Sequence, residues 1–221
     1  MLSDIMKYPD NPEPRCPVVL LLDTSGSMFG QPIDELNAGL AIFKQEVQRD
    51  TTASLRVEVA IITFDSSVNI VQDFVTVDEF YAPQLIASGM TAMGEAIELA
   101  LNKVENQKAI YKNNNIQYYQ PWVVLITDGG PSDSWQSAAQ RVRQASADRK
   151  ISFFVVGVQG ADMNTLEQIA PVNTPPLMLK GLQFDELFRW LSESTKRVSS
   201  SKVGGGQTSL PSTSGWAQTN T

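Results

Sequence analysis

Histidine is absent from this 221-residue chain. Its absence removes the commonest general base and the commonest transition-metal ligand. No serine can complete a Ser–His–Asp triad, and the single cysteine, Cys16, cannot join a Cys–His pair. One cysteine also excludes an internal disulfide and suits a reducing compartment, so a cytoplasmic setting is expected. No run approaches the ~20 apolar residues that a membrane helix requires. The opening stretch MLSDIMKYPDNPEPR lacks the basic-then-apolar pattern of a secretory signal. Basic charge is also scarce: the net charge of −7 argues against a nucleic-acid binder, which needs a basic face, but it does not oppose binding a cation.

What the chain does have is an ordinary apolar fraction, 42%, and enough length for one domain with a sizeable core. Short apolar runs read as buried strands: PVVLLL (17–22), LRVEVAIITF (55–64), WVVLIT (122–127) and ISFFVVGV (151–158), with LMLK (177–180) as a short last strand. Near-continuous hydrophobicity, rather than strict alternation, is what a parallel sheet covered on both faces demands. VNIVQDF (68–74) follows FDSS closely enough for a hairpin, which predicts one antiparallel edge strand. Between these runs, apolar residues step by three and four. Ile33, Leu36, Leu40, Phe43 and Val47 form one stripe, with Pro32 suited to the first turn. Further stripes start at Met93, Trp135, Met163 and Phe184, and Ser134 is placed to cap the helix near Trp135. Strands alternating with helices predict an α/β, three-layer, doubly wound, mostly parallel sheet. Ligands of such sheets bind beyond the carboxyl ends of the strands, where the strand order reverses.

Residues 1–14 read as an N-terminal extension and 15–197 as the domain. Residues 198–221, dominated by Ser, Gly and Thr without an apolar period, read as a disordered tail in which a lone Trp216 has no evident role. YKNNNIQYYQP (111–121) reads as a packed surface loop or, less simply, as a partner surface.

Chemistry concentrates in three places. In VVLLLDTSGSM an apolar strand ends at Asp23, and the tight turn after it lets Asp23, Ser25 and Ser27 face one crevice. In LITDGGPSD a second strand ends at Asp128, and in ASGMTAMGEAI Thr91 precedes a helix. Alone, each is explained without a ligand: a strand exit, a turn signal, a helix cap. Together, on one face of a doubly wound sheet, they supply two carboxylates and three hydroxyls. These are hard oxygen donors that suit Mg2+, with Mn2+ or Ca2+ as alternatives, and disfavour soft metals. Asp65 and Asp133 lie nearby and read as rim or supporting acids, or as solvated loop residues.

On these residues the sequence resembles the von Willebrand factor A family. That family's metal-ion-dependent adhesion site combines Asp-x-Ser-x-Ser with a distant Thr and a distant Asp. Asp23, Ser25 and Ser27 match the first element, Thr91 the second and Asp128 the third, and the resemblance spans about residues 15–195. It implies hydroxyls that touch the metal, acids that often act through water, and a free coordination position filled by an Asp or Glu of a protein partner. One departure is Met90, where the family often has Gly before the Thr. NPEPRCPVVLLLDTSGSM, YYQPWVVLITDGGPSD and FDELFRWLSES further resemble a bacterial subfamily associated with tellurium resistance. That resemblance implies an intracellular stress-response module with kinase and phosphatase components among its partners.

Two other functions compete with a non-enzymatic binding module. A strand-end Asp with Mg2+ also begins haloacid-dehalogenase-like phosphatases, but their second carboxylate is replaced here by Ser25. A purely structural metal is the other alternative.

Overall fold

The computed structural model describes residues 11–218, so most of the expected N-terminal extension lies outside the described residues. Among these residues seven strands form one sheet: β1 (Cys16–Asp23), β2 (Val57–Phe64), β3 (Val68–Thr76), β4 (Trp122–Thr127), β5 (Ser152–Gly157), β6 (Leu177–Leu179) and β7 (Ala217–Gln218). Their spatial order is β3-β2-β1-β4-β5-β6-β7. Strands β2, β1, β4, β5 and β6 run parallel. β3 is antiparallel to β2, as the hairpin pattern predicts, and β7 adds a second antiparallel pair at the opposite edge. The chain winds from β1 outward through β2 and β3, then returns to β4 on the other side of β1. The reversal in strand order therefore falls between β1 and β4.

Among the described residues six helices cover the faces: α1 (Gln31–Gln48), α2 (Thr51–Arg56), α3 (Met93–Asn113), α4 (Gln136–Ala147), α5 (Met163–Ile169) and α6 (Phe184–Ser200). Alternating residues of β1 feed two cores. Val18, Leu20 and Leu22 pack with α1 and α6, whereas Val19 and Leu21 pack with α3, α4 and α5. Side chains alternate across a strand, so a strand buried on both faces has no polar position. This is why the PVVLLL run is continuous. α1 and α6 approach closely at Gly39, where an added Cβ would lie 2.2 Å from a ring carbon of Phe188.

Local readings differ from the structure in two places. The strand expected from Leu55 begins at Val57, because Asp50 accepts from the backbone N–H of Thr52 (3.0 Å) and Ala53 (2.8 Å) and starts the short α2. Ser134 does not cap α4, whose cap position is Trp135, without a side-chain cap bond. The 111–121 stretch is packed as expected, its first three residues closing α3: Tyr119 Oη shares its proton between the carbonyls of Ser199 (2.9 Å) and Ser201 (2.6 Å), and Tyr118 lies against Tyr111.

The segment expected to be disordered is ordered as far as Gln218. α6 continues to Ser200, and the chain then folds back along the sheet edge. Ala217 and Gln218 pair with Leu179 and Met178, Lys180 N–H donates to the carbonyl of Trp216 (2.8 Å), and Trp190 Nε1 donates to that of Pro211 (2.9 Å). Trp216, 2% exposed, ends a row of rings running from Trp122 through Phe154 and Trp190, with centroids 4.8, 5.9 and 5.3 Å apart. Composition misses this because the ordering contact is one large side chain, and a single tryptophan buries 150–250 Å².

Candidate metal centre

Asp23 ends β1, and Asp128 directly follows Thr127, the last residue of β4. The two strands are hydrogen-bonded neighbours, so both acids sit at the carboxyl side of the sheet where the strand order reverses. After Asp23 the chain turns through a single 3-10 turn, Gly26–Met28. Asp23 accepts from the Ser25 N–H (2.8 Å) and from the Thr127 hydroxyl. Ser25 and Ser27 share a hydroxyl contact of 3.0 Å, and Ser27 Oγ donates to Asp128 at 2.7 Å. The first loop is thereby tied across 101 residues to the loop after β4.

Thr91 arrives on a third segment and does not cap α3, whose cap position is Ala92 without a side-chain cap bond. Backbone and side-chain bonds fix its place. Thr91 N–H donates to Ser132 Oγ (3.1 Å), and Ser132 N–H donates to the Thr91 carbonyl (2.8 Å). Ala92 N–H donates to the Asp65 carbonyl (2.8 Å), and Gly26 N–H donates to the Gly89 carbonyl (3.0 Å). Asp133 uses both carboxylate oxygens to accept from Gly94 (2.9 Å) and Glu95 (2.8 Å) at the start of α3. It therefore pins the helix behind Thr91 to the loop behind Asp128. Asp65 turns its carboxylate to Ser67 and contributes its carbonyl to the Thr91 segment. Thr127 and Ser132 carry no sequence signal for these roles; they emerge only once the three loops are assembled.

The donors converge on Gly129. A Cβ added there would lie 3.4 Å from the Thr91 hydroxyl and 3.9 Å from both the Asp23 carboxylate and the Ser27 hydroxyl. Asp23, Ser25, Thr91 and Asp128 are buried and Ser27 is exposed, so the group reaches solvent at Ser27. Burial raises the Asp23 carboxyl above its ordinary range. Hydrogen bonds from Ser25 and Thr127 oppose the rise, and the nearby Asp128 charge adds to it. Burial likewise raises Asp128, against the bond from Ser27. Two acids destabilised as anions, among three hydroxyls, form a donor set that a divalent cation relieves; all five groups are hard oxygens. No group of three or more acid, cysteine or histidine side chains poised for a metal occurs among the described residues, so the site depends on hydroxyls for most of its donors.

The fold and this oxygen cluster define a doubly wound α/β domain with its site at the switch in strand order. The family model of the von Willebrand factor type A domain matches residues 18–187, more than half of the chain, and the chain belongs to that family. Among curated proteins, chicken (Gallus gallus) matrilin-1 is 35% identical over 82 residues, which cover 36% of this chain and 15% of matrilin-1. Among solved structures, proximal thread matrix protein 1 from the mussel byssus, with a zinc-occupied MIDAS motif, aligns with a TM-score of 0.60 at 17% identity. That alignment covers 83% of this chain and 48% of that one. The PilB minor pilin from Streptococcus sanguinis aligns at 0.57 with 13% identity, covering 85% of this chain and 62% of that one. The chain thus spans a small part of matrilin-1 and about half of the mussel protein, and the structural likenesses establish the fold.

Proposed function

We propose that this domain is a non-enzymatic protein-binding module whose contact with its partner runs through a divalent cation. Asp23, Ser25, Ser27, Thr91 and Asp128 would hold the ion, with Mg2+ the expected one and Mn2+ or Ca2+ acceptable to the same hard donors. When bound, the ion supplies a positive charge with a coordination position open to an Asp or Glu of a protein partner. The observation that carries this reading is the convergence of hydroxyls and acids from three loops around Gly129, on the open end of the sheet. The zinc-occupied motif of the mussel protein agrees with it.

A phosphatase-like reading is disfavoured at one position. Position 25 carries a serine that bonds to Ser27 where a phosphatase needs an acid, and the chain has no histidine to replace it. The stress-response setting, with kinase and phosphatase partners, rests on the three sequence stretches quoted above. The cytoplasmic setting rests on the lone, buried Cys16. No helix among the described residues is long and apolar enough to cross a membrane. The test is affinity capture from the native cell on the wild-type domain and on Asp23→Ala, with and without chelator. Partners held only by the metal-loaded wild type support the proposal. Equal capture in chelator ends it.

A further inference from the structure

Residues 77–92, between β3 and α3, form a long connection without regular structure of its own beyond a turn. Loops of this length inside compact domains are uncommon and usually functional. This one runs antiparallel along α1. Gln48 Nε2 donates to the Val77 carbonyl (2.9 Å), Lys44 Nζ lies 5.9 Å from the Tyr81 ring centre, and Asn37 exchanges hydrogen bonds with Leu85 (2.8 and 3.0 Å). The loop then reaches the metal-site turn through the Gly26–Gly89 bond. Val77, Phe80 and Leu85 face inward and anchor it to the core. Tyr81, Ile86 and Met90 face outward, 73%, 78% and 61% exposed, and Phe29, 76% exposed, follows the Ser27 turn directly. Half of the eight large apolar side chains exposed among the described residues thus lie on this loop and the turn bonded to it. Asn37 and Lys44 are seven residues apart and share a helix face. From the start of α1 to Lys44 the line covers about 21 Å at 1.5 Å per residue.

We propose that these side chains form a docking track leading away from the metal. Its occupant is an extended partner segment with one acidic residue at the metal end and large apolar residues over about the next six positions, at ~3.3 Å per residue. This rests on the metal-mediated reading above. Charge complementarity fixes the acidic end, and the chain's net charge of −7 disfavours further acids beyond the ion. The exposed Phe29, Tyr81, Ile86 and Met90 side chains make the rest of the contact apolar.

The test pans phage-displayed random 12-residue peptides on the immobilised protein in Mg2+, with elution first by EDTA and then by acid. Enriched peptides carrying one acid beside spaced large apolar residues are the expected result. For the best peptide, Ile86→Ser combined with Tyr81→Ser should weaken binding about tenfold, about 1.4 kcal/mol, while the Mg2+ thermal shift stays unchanged. Enrichment of acids without apolar preference, or unchanged affinity in the double variant, overturns the track but leaves the metal reading intact. Enrichment in the acid eluate alone, with none in the EDTA eluate, overturns both. Sedimentation of the protein alone in Mg2+ covers another occupant: a dimer broken by Phe29→Ser would assign the surface to a second copy and overturn the partner proposed here.

Discussion

Asp128→Asn separates the cation's charge requirement from the fold's hydrogen-bond requirement. Asparagine keeps an oxygen able to accept from Ser27 Oγ, so the tie between the loops after β1 and β4 survives. It removes one of two buried negative charges, the one that adds to the rise in the Asp23 carboxyl. In the wild type, Mg2+ at about one hundred times its Kd should stabilise the native state by about 2.7 kcal/mol. For a domain of roughly this size each kcal/mol is worth about 2–4 °C, so Tm should rise by about 5–11 °C. Losing an anionic ligand should weaken binding by about a hundredfold or more. At the same Mg2+ concentration the site is then half-filled at best, worth about 0.4 kcal/mol, and the shift shrinks to about 1–2 °C. In chelator the order reverses: the variant should melt at or slightly above the wild type, because a charge that burial disfavours is gone. Differential scanning calorimetry with and without EDTA reads both arms. A full Mg2+ shift in Asp128→Asn, or a chelated variant that melts well below the wild type, would refute the assignment of Asp128 to the ion.

Three further perturbations test the frame around the site. Gly39→Ala should cost about 1–2 kcal/mol in urea unfolding: driving a methyl to 2.2 Å from Phe188 overpacks the α1–α6 contact by about 1–3 kcal/mol, and better helix propensity returns up to about 1. A stabilised variant would show that this contact is looser than described. Trp216→Ala should lose about 3 kcal/mol, the low end for a buried aromatic, because the Trp216 Nε1 is buried without an acceptor and its removal returns part of that cost. A loss under about 0.5 kcal/mol in the same urea assay would mean that the edge segment does not belong to the cooperative fold. Burial pushes the Cys16 thiol up to about 12. A raised pKa contributes stability that is complete below the unfolded value, near 9, and is lost as pH climbs toward 12. Relative to Cys16→Ala, the wild type should therefore lose about 1.4 kcal/mol per pH unit in that window. A flat difference from pH 8 to pH 11 would contradict the burial.

The parts of the fold legible in the sequence are those encoded by neighbours in the chain. β1 and β4 announce themselves because both faces of each strand need apolar residues, and α1 because its stripe repeats at helical spacing. The edge segment was not legible because its order comes from Trp216 meeting Trp190, a contact between distant positions that Ser- and Gly-rich composition conceals. Asp133 was half legible. Its acidity and position suggested a supporting role, but its partners are peptide N–H groups of Gly94 and Glu95, which no residue type betrays.

The same division explains Met90. Met90 stands where the family often has Gly before the Thr, and a bulkier residue would alter the Thr91 loop if the close approach occurred at position 90. In the structure it occurs one residue earlier. Gly89 has φ +77°, and a Cβ there would lie 2.6 Å from Ser66 Oγ, the atom that accepts the Met90 N–H at 2.9 Å. Only glycine takes that conformation without strain. The loop thus meets its need for glycine at 89, and Met90 contributes a peptide N–H to the loop and an exposed side chain to the surface. A residue that reads as a defect in the metal motif leaves the Thr91 backbone in place. It also sets a large apolar group, 61% exposed, on the docking track proposed above.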